Sequence, residues 1–208
     1  MKTSIKSLIV LAVTGLVLTT ATINVKAADN TQTTVLSEVK KVNKINVSGN
    51  VELILVQSAD ESVKVYDNYF SKNALVQQKD GELRISSFNK ETLTVVVYVN
   101  SLTSISASNN ATVKTFGKFN TLSLDVNLKD DAKATLNTNT ISLSTTIADQ
   151  ANLTLSGSTT DYNAVLGSVA TVNMGQFVAE TTNIQSKNVS IAKVAKAELP
   201  TSDDLYNL

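Results

Sequence analysis

The chain contains no histidine, cysteine or tryptophan and only one proline among its 208 residues. Without cysteine there are no disulfides, and zinc sites lose two of their commonest ligand types when histidine is missing as well. A Ser–His–Asp triad is impossible, and the most frequent general base of enzymes is absent. Any catalytic chemistry would have to depend on carboxylates or lysines.

Charged residues are also scarce, at 17% of the chain. Removal of a predicted N-terminal signal would take away Lys2, Lys6 and Lys26 and leave 15 basic and 18 acidic residues, a net charge of −3. Binding to nucleic acid needs a basic surface that neutralises phosphates. The composition therefore argues against nucleic acid as a partner.

Residues 1–27 have the organisation of a secretory signal peptide. Lys2 and Lys6 supply the positive start, residues 8–18 (LIVLAVTGLVL) form the apolar stretch, and Ala27 provides the small residue before cleavage. The apolar stretch is about half of the ~20 residues that a membrane-spanning helix needs. We therefore predict an exported chain without a transmembrane segment after cleavage. Residues 28–208 are predicted to form a single domain, ordered from roughly 35 to 200, with repeats from about 102.

Most of the remaining chain alternates apolar and polar residues with a period of two, which is typical of β-strands. Residues 93–99 (LTVVVYV) form a strongly β-branched run, and residues 51–55 (VELIL) indicate another strand. Asp80-Gly81 is a typical hairpin turn. Because no stripe of helical period is present, the sequence predicts an all-β fold.

From about residue 102 the sequence repeats with a period near 20. Four short strands each begin with alanine, and these alanines recur at a nearly constant spacing: Ala111, Ala132, Ala151 and Ala170. A weaker fifth copy begins at Val189. Turn pairs precede most copies, among them Asn109-Asn110, Asp130-Asp131 and Asp149-Gln150. Such a period, with strands and turns in every copy, is typical of solenoid proteins.

We interpret the repeats as coils of a right-handed single-stranded parallel β-helix, a solenoid of about 20 residues per coil with an N-terminal strand cap. Equivalent residues would stack about 4.8 Å apart. The alanines would form one inward row, and a second inward row would fill the interior: Val113, Ala134, Leu153, Val172 and Ile191. A β-sandwich is the alternative, since its strands also recur every 8–12 residues or so.

The order of the segments resembles a known family. Residues 44–53 (KINVSGNVEL) follow the signal peptide, the Asp80-Gly81 turn comes next, and residues 95–106 (VVVYVNSLTSIS) lead into coils with small residues. Over residues 42–199 this order is similar to the putative auto-transporter adhesin, head GIN domain family of exported bacterial proteins. Lys44 and Asn100 depart from the family pattern, which suggests glycine and proline at these positions.

The resemblance implies a right-handed parallel β-helix whose N-terminal part has antiparallel edges. It also implies residence in the cell envelope or outside the cell. The family has no established catalytic residues, so none is carried over to this chain.

Acidic residues are the remaining candidates for chemistry: Asp125, Asp130, Asp131, Asp149 and Asp161. Asp130, Asp131 and Asp149 occupy the turns before the repeated strands, where aspartate is favoured because it tolerates the left-handed conformation and bonds its own backbone. The alternative is a calcium site between stacked turns, since Ca²⁺ takes six or more oxygen ligands. We favour the turn role and assign no catalytic, cofactor-binding or metal-binding residue.

Two outward rows of the repeats could bind glycans through hydroxyl and amide groups, although simple solvation of a sheet face explains them as well. The first row is Thr112, Lys133, Asn152, Thr171 and Ser190, and the second is Lys114, Thr135, Thr154 and Asn173. The aromatic cluster of Tyr66, Tyr69 and Phe70 is expected to cap the N-terminal end of the solenoid, or else to form a binding patch. The tail from Glu198 to Leu208 could cap the other end.

These observations favour a non-enzymatic exported or cell-surface protein that binds an unknown glycan or protein ligand. A calcium-assisted polysaccharide-cleaving enzyme and a purely structural envelope protein are the alternatives. No cofactor is expected. The open sheet edges of a solenoid make self-association a further possibility.

Overall fold

The computed structural model describes residues 33–36, 39, 41–66 and 74–186, all of which belong to one compact unit, residues 31–208. No helix occurs in these ranges, so none of the described segments is a helix that could cross a membrane. The predicted all-β class is confirmed. Several predicted features lie outside the described residues: the signal peptide 1–27, Tyr69, Phe70, the fifth repeat copy from Val189 with Ser190 and Ile191, and the tail 198–208.

The described part of the chain consists of thirteen strands. In chain order they are β1 Thr33–Leu36, β2 Lys44–Gly49, β3 Val51–Gln57, β4 Ser62–Tyr66, β5 Ala74–Lys79, β6 Glu82–Ser87, β7 Leu93–Val99, β8 Ser104–Ser108, β9 Thr112–Phe116, β10 Phe119–Leu128, β11 Lys133–Ile147, β12 Asn152–Leu166 and β13 Thr171–Ser186. The last three are much longer than the usual ~5–6 residues of a strand. Each of them spans two sides of the fold.

All thirteen strands belong to one hydrogen-bonded sheet that folds back on itself at β11. Residues 133–135 of β11 pair with β9, whereas residues 138–147 pair with β10. One side of the fold continues from β9 through β3, β7 and β4 to β1, and the other continues from β10 through β8, β2 and β6 to β5. β12 stacks on β11, and β13 stacks on β12.

The repeats stack in parallel at the spacing that the sequence predicts. Between β11 and β12 the offset is one repeat and stays constant along the whole pairing, from Lys133 beside Asn152 to Ile147 beside Leu166. The first inward row is buried, with Ala111, Ala132 and Ala151 fully inaccessible and Ala170 at 5% exposure. In the second row Val113, Ala134 and Leu153 are buried and Val172 is half-buried. The small and apolar rows therefore lie where the repeat pattern places them.

The right-handed parallel β-helix is not confirmed as a description of the whole fold, because the sheet is mixed and curled. β4 runs antiparallel to β1 and β7, and β5 runs antiparallel to β6. Asp80 and Gly81 have φ values of 51° and 77° and reverse the chain between β5 and β6, as an Asp-Gly hairpin does. The antiparallel strands lie at the two ends of the strand order, with β1 and β4 at one end and β5 at the other. They belong to the N-terminal part of the chain, for which the strand cap was predicted. The sandwich alternative needs two separate sheets, which the described strands do not form.

The core is one continuous cluster of apolar side chains contributed by both sides of the fold. Tyr162 and Phe119 are its largest fully buried members. A buried hydroxyl without a hydrogen-bond partner costs free energy. The Tyr162 hydroxyl has a partner, because its oxygen lies 3.0 Å from Thr145 Oγ1. Burial raises the pKa of Tyr162, so the phenol stays neutral in the core.

Gly157 lies at the point where β12 passes from one side of the fold to the other. Its φ is 96°, in the left-handed region, and it pairs with Thr138 of β11. A Cβ at this position would lie 2.0 Å from the Thr138 carbonyl oxygen, which belongs to the backbone of the neighbouring strand. Only glycine permits this close approach of two strands.

Replacement of Gly157 with alanine should destabilise the fold more than the same replacement at Gly117. Gly117 also has a positive φ, 79°, but a methyl group placed there would meet no atom within 4 Å, so Gly117→Ala should cost only the left-handed strain, about 1–2 kcal/mol. Gly157→Ala also places a methyl group against the Thr138 carbonyl oxygen, and the backbone would have to shift to relieve this clash. Urea unfolding followed by circular dichroism measures both, and equal losses in the two variants would contradict the close-approach explanation.

Candidate ligand-binding groove

An open groove of about 780 Å³ lies at the corner where the chain passes between the two sides of the fold. We call it the corner groove. Twelve residues line it: Gln57, Asn100, Ser101, Thr103, Asn120, Thr121, Leu122, Ser123, Asn139, Thr140, Ile141 and Thr160. Ten of them have amide or hydroxyl side chains, two are aliphatic, and none is charged.

The in-register stacking of β10, β11 and β12 brings like residues together in this groove and at its border, where Ser158 adjoins the lining. Asn120 pairs with Asn139, and Asn139 pairs with Ser158, each at an offset of one repeat. The pairs on either side of Leu122 have the same offset, which places Leu122 beside Ile141. Their side chains are 74% and 56% exposed. The groove therefore presents a polar row and an aliphatic pair next to each other.

Threonine hydroxyls on the inner side of the corner form hydrogen bonds with backbone carbonyl groups and with each other, at the point where the pairing between neighbouring strands is interrupted. Thr121 Oγ1 donates to the Leu102 carbonyl oxygen at 3.0 Å, and Thr159 Oγ1 lies 3.1 Å from the Ile141 carbonyl oxygen. Thr140 Oγ1 donates to Thr159 Oγ1 at 2.8 Å. Buried polar groups need partners, and these hydroxyls supply them to two carbonyl groups at the corner.

The polar row is held by its own hydrogen bonds, and we call Gln57, Asn120, Asn139 and Ser158 the amide ladder. Gln57 Oε1 accepts from the Asn120 backbone N–H at 2.9 Å, and Gln57 Nε2 donates to the Asn120 carbonyl oxygen at 2.7 Å. Asn139 Nδ2 donates to Asn120 Oδ1 at 3.4 Å, and Ser158 Oγ donates to Asn139 Oδ1 at 2.8 Å. Each member is thus oriented by the next one.

Asn120 and Asn139 keep hydrogen-bonding capacity for a ligand, whereas the Gln57 amide is fully used by Asn100 and Asn120. A side-chain amide has two donor hydrogens and an oxygen with two lone pairs, and the contacts between Asn139 and its neighbours use one of each. Asn120 and Asn139 are both exposed. Since the ladder already fixes their rotamers, a ligand would bind without the full entropic cost of ordering them.

The corner groove is suited to binding and not to acid–base catalysis. A general acid or base must be titratable and within hydrogen-bond reach of the reacting atom, and no lining residue is titratable in the physiological range. Amides and hydroxyls fix the orientation of a polar ligand, while Leu122 and Ile141 offer an apolar surface. The favoured ligand is therefore polar and uncharged.

Comparison with known proteins assigns the chain to a family. The profile of the putative auto-transporter adhesin, head GIN domain family matches residues 41–198. The chain belongs to this family. The resemblance inferred from the order of segments is confirmed, and the match includes the described strands from β2 to β13. No curated protein matches the chain.

Solved structures of proteins named for adhesion or lipid binding share the fold. A protein of Bacteroides fragilis named a putative adhesin is 19% identical, with a TM-score of 0.62 and coverage of 75% of this chain and 76% of that one. A putative adhesin of Parabacteroides distasonis is 17% identical, with a TM-score of 0.59 and coverage of 74% and 77%. A second P. distasonis protein, named a putative lipid binding protein, is 14% identical, with a TM-score of 0.57 and coverage of 77% and 81%. Identities this low establish the fold alone.

The structure stacks Asp130 and Asp149 in neighbouring turns but does not gather the five acidic residues considered from the sequence into one cluster. Asp130 and Asp149 lie in turns with φ of 59° and 56°. Their Oδ2 atoms accept backbone N–H groups one layer away, from Asn109 at 3.0 Å and from Asp130 at 3.2 Å. Asp131 is exposed, and Asp125 and Asp161 lie on strands. The described residues contain no group of three acidic side chains that could hold a metal ion, and the turn role of Asp130 and Asp149 accounts for both.

The two outward rows have the register that the repeats predict. Thr112, Lys133, Asn152 and Thr171 stand side by side on β9, β11, β12 and β13, and Lys114, Thr135, Thr154 and Asn173 form the neighbouring row. Lys114 Nζ lies 2.7 Å from Glu52 Oε1 on β3. Lys114 is therefore paired within the sheet.

The aromatic residues, which lie mainly before the repeats, are divided between core and surface. Phe119 is buried, whereas Phe88 and Phe116 are 70% and 75% exposed. Tyr98 is half-buried with the Lys64 ammonium 4.8 Å from its ring centre, a cation–π contact. Tyr66 is half-buried at the end of β4. The predicted cluster of Tyr66 with its two aromatic neighbours stays a prediction, because those neighbours lie outside the described residues.

The corner groove was not among the binding surfaces that the repeats suggested. A signal for it is nevertheless present in the sequence, because Asn120, Asn139 and Ser158 follow one another at the spacing of the repeat. Leu122 and Ile141 have the same spacing. What the sequence does not mark is the corner itself, which has no proline and lies inside single long strands in β11 and β12.

Loss of the Asp130 carboxylate should destabilise the fold more than loss of the Asn109 side chain. Both residues have a positive φ, 59° and 57°, so replacement with alanine costs similar backbone strain. Only Asp130→Ala also removes the acceptor of the Asn109 N–H, a difference of about 1 kcal/mol for an exposed hydrogen bond. Thermal unfolding of both variants, with and without added Ca²⁺, measures this.

We expect Ca²⁺ to leave the melting temperature of the parent chain unchanged, since the carboxylates of Asp130 and Asp149 already bond the backbone. A rise in the melting temperature with Ca²⁺ that disappears in Asp130→Ala would contradict the turn role and restore the calcium hypothesis.

Proposed function

We propose that this protein is an exported, non-enzymatic binding protein of the adhesin type that holds a neutral glycan in the corner groove. The observation that carries the proposal is the chemistry of the lining, in which ten hydrogen-bonding side chains and two aliphatic ones occur without any charge. A sugar has the matching composition, with hydroxyl groups around its rim and C–H groups on its ring faces. Family membership supports a binding role, since the family is named for adhesion and not for catalysis.

The absence of charge in the lining separates glycans from other ligand classes. Phosphate, nucleic acid and uronic-acid polymers need basic partners, preferably arginine or lysine. A peptide could use the same amides, but the oriented row of Asn120, Asn139 and Ser158 repeats one kind of contact, which suits a polymer of like units. The aliphatic pair Leu122 and Ile141 is small, so hydrogen bonds would carry most of the specificity.

Cleavage of a polysaccharide fits the arrangement less well. Glycoside hydrolysis uses two carboxyl groups on either side of the scissile bond, roughly 5–9.5 Å apart. The carboxylates of Asp130 and Asp149 already accept backbone N–H groups, and no acidic residue lines the corner groove. Binding without turnover is therefore the simpler role.

Export is supported by the signal-like segment 1–27 and by the name of the family. The mature chain would then act in the periplasm, at the cell surface or outside the cell. An adhesin that meets external glycans must be surface-exposed, which makes location a direct test of the proposal.

Protease treatment of intact cells should cleave or release the protein, as detected with an antibody against it, while a soluble periplasmic protein used as control stays intact. Proteases reach a surface protein first at exposed loops and termini. If the chain is protected in intact cells and is cleaved only after the outer membrane is permeabilised, adhesion to external targets is ruled out and the binding role moves to periplasmic glycans.

Replacement of Asn139 with alanine should weaken glycan binding about five-fold, the value of one ordinary hydrogen bond. Calorimetry with neutral cello-, manno-, xylo- and chito-oligosaccharides measures it, and circular dichroism confirms that the variant is folded. Asn152→Ala is the matched control, because Asn152 is an exposed asparagine on β12 outside the groove.

The two variants separate the competing surfaces. Loss of binding in Asn152→Ala but not in Asn139→Ala would move the site to the outward rows. Failure of every neutral glycan to bind the parent chain would leave a structural or protein-binding role as the better explanation.

A further inference from the structure

The residues of the corner groove repeat from one layer of strands to the next, and the strand register shows the direction in which they repeat. Its polar row comes from three consecutive layers: Asn120 on β10, Asn139 on β11 and, adjoining the lining, Ser158 on β12. Successive layers of a sheet are about 4.8 Å apart. The polar row therefore crosses the strands and presents an equivalent group at each step along the stack.

A second row of side chains, which begins with the aliphatic pair, runs in the same direction. Leu122 lies beside Ile141, and the pairs that flank Ile141 place it beside Thr160 on β12. Each of the three layers β10, β11 and β12 thus offers one amide or hydroxyl from the amide ladder and one side chain from this second row. A ligand lying across the strands would meet the same pair of groups several times, whereas a ligand lying along one strand would meet it once.

This rests on the proposed function: we propose that the ligand is a linear, extended, neutral polysaccharide whose long axis lies along the stack, with one sugar residue per layer. In an extended β-1,4-linked chain each pyranose advances by about 5 Å, close to the ~4.8 Å between strands. One ring per layer would let each ring use one ladder amide and rest against one member of the second row. A bent, branched or charged glycan does not meet this repeat.

The length of the site is set by where the polar row stops. On β13 the residue beside Ser158 is Val178, an aliphatic side chain that is 56% exposed. The pairs on either side of Thr160 place it beside Glu180, which is charged. Neither residue continues the chemistry of the groove. At the other end, Gln57 already donates both amide hydrogens to the carbonyl oxygens of Asn100 and Asn120, and its oxygen accepts from two N–H groups of Asn120, so it orients the row and has no free group for a ligand. Three layers, from Asn120 to Ser158, therefore hold about three sugar residues.

A length series tests this with the intact protein. Cello-, manno-, xylo- and chito-oligosaccharides, from the monosaccharide to the octasaccharide, are titrated by calorimetry. We expect affinity to rise by roughly five-fold for each added residue up to about three, as one further hydrogen bond is made at each step, and then to level off. Equal affinity for a monosaccharide and a hexasaccharide would overturn the proposal while leaving glycan binding in place. No binding at any length would overturn the proposed function as well.

A variant in which the polar row is one layer longer provides a second test. Val178→Asn places an amide beside Ser158 in the next layer and should move the plateau from about three residues to about four. Val165→Asn is the matched control, since Val165 is an exposed valine on β12 at 41% exposure and lies outside the groove lining. A shift of the plateau in Val178→Asn alone supports a chain running along the stack. An unchanged plateau in both variants, with each of them folded, contradicts it.

Discussion

The structure depends above all on parallel, in-register stacking at a constant offset of one repeat between β11 and β12. When one layer lies directly above another, each side chain meets its equivalent in the next copy of the repeat. Rows of like residues become ladders as a consequence: alanines at the narrow inner turn, apolar residues in the core, and asparagines at the corner. Both the packing of the core and the layout of the candidate site follow from this one constraint.

The same constraint restricts charge. In a stack, a charged side chain repeated in the next layer would face its own kind at about 4.8 Å, which is destabilising. Within the described strand pairs no two like charges stand opposite each other, and Lys44 beside Glu82 is an opposite pair. Turn carboxylates avoid the conflict in another way, because Asp130 and Asp149 each accept a backbone N–H. Neutral amides and hydroxyls can repeat freely, which explains why the polar rows consist of them.

Much of the repeated part could be predicted from the sequence, because alternation, alanine spacing and turn aspartates are all local or periodic signals. The antiparallel pairing of β5 with β6 was signalled by the Asp80-Gly81 hairpin turn. The antiparallel pairing of β4 with β1 and β7 was not, since nothing in the alternation of β4 specifies its direction. The corner groove was also missed. Its polar groups recur with the repeat, but the corner lies within continuous strands, and its bend depends on Gly157 and on buried hydroxyls such as Thr140, which only the three-dimensional contacts reveal.

A ladder of weak, equivalent contacts has consequences for how such a protein binds. One hydrogen bond to an exposed amide contributes only about 1 kcal/mol, so a single sugar would be held poorly. Affinity must come from several layers acting on one polymer. The hydrogen bonds between Asn120, Asn139 and Ser158 reduce the entropic cost at each layer by fixing the side chains in advance. Under the proposed function, the repeat that builds the core thus also favours a ligand that repeats with it.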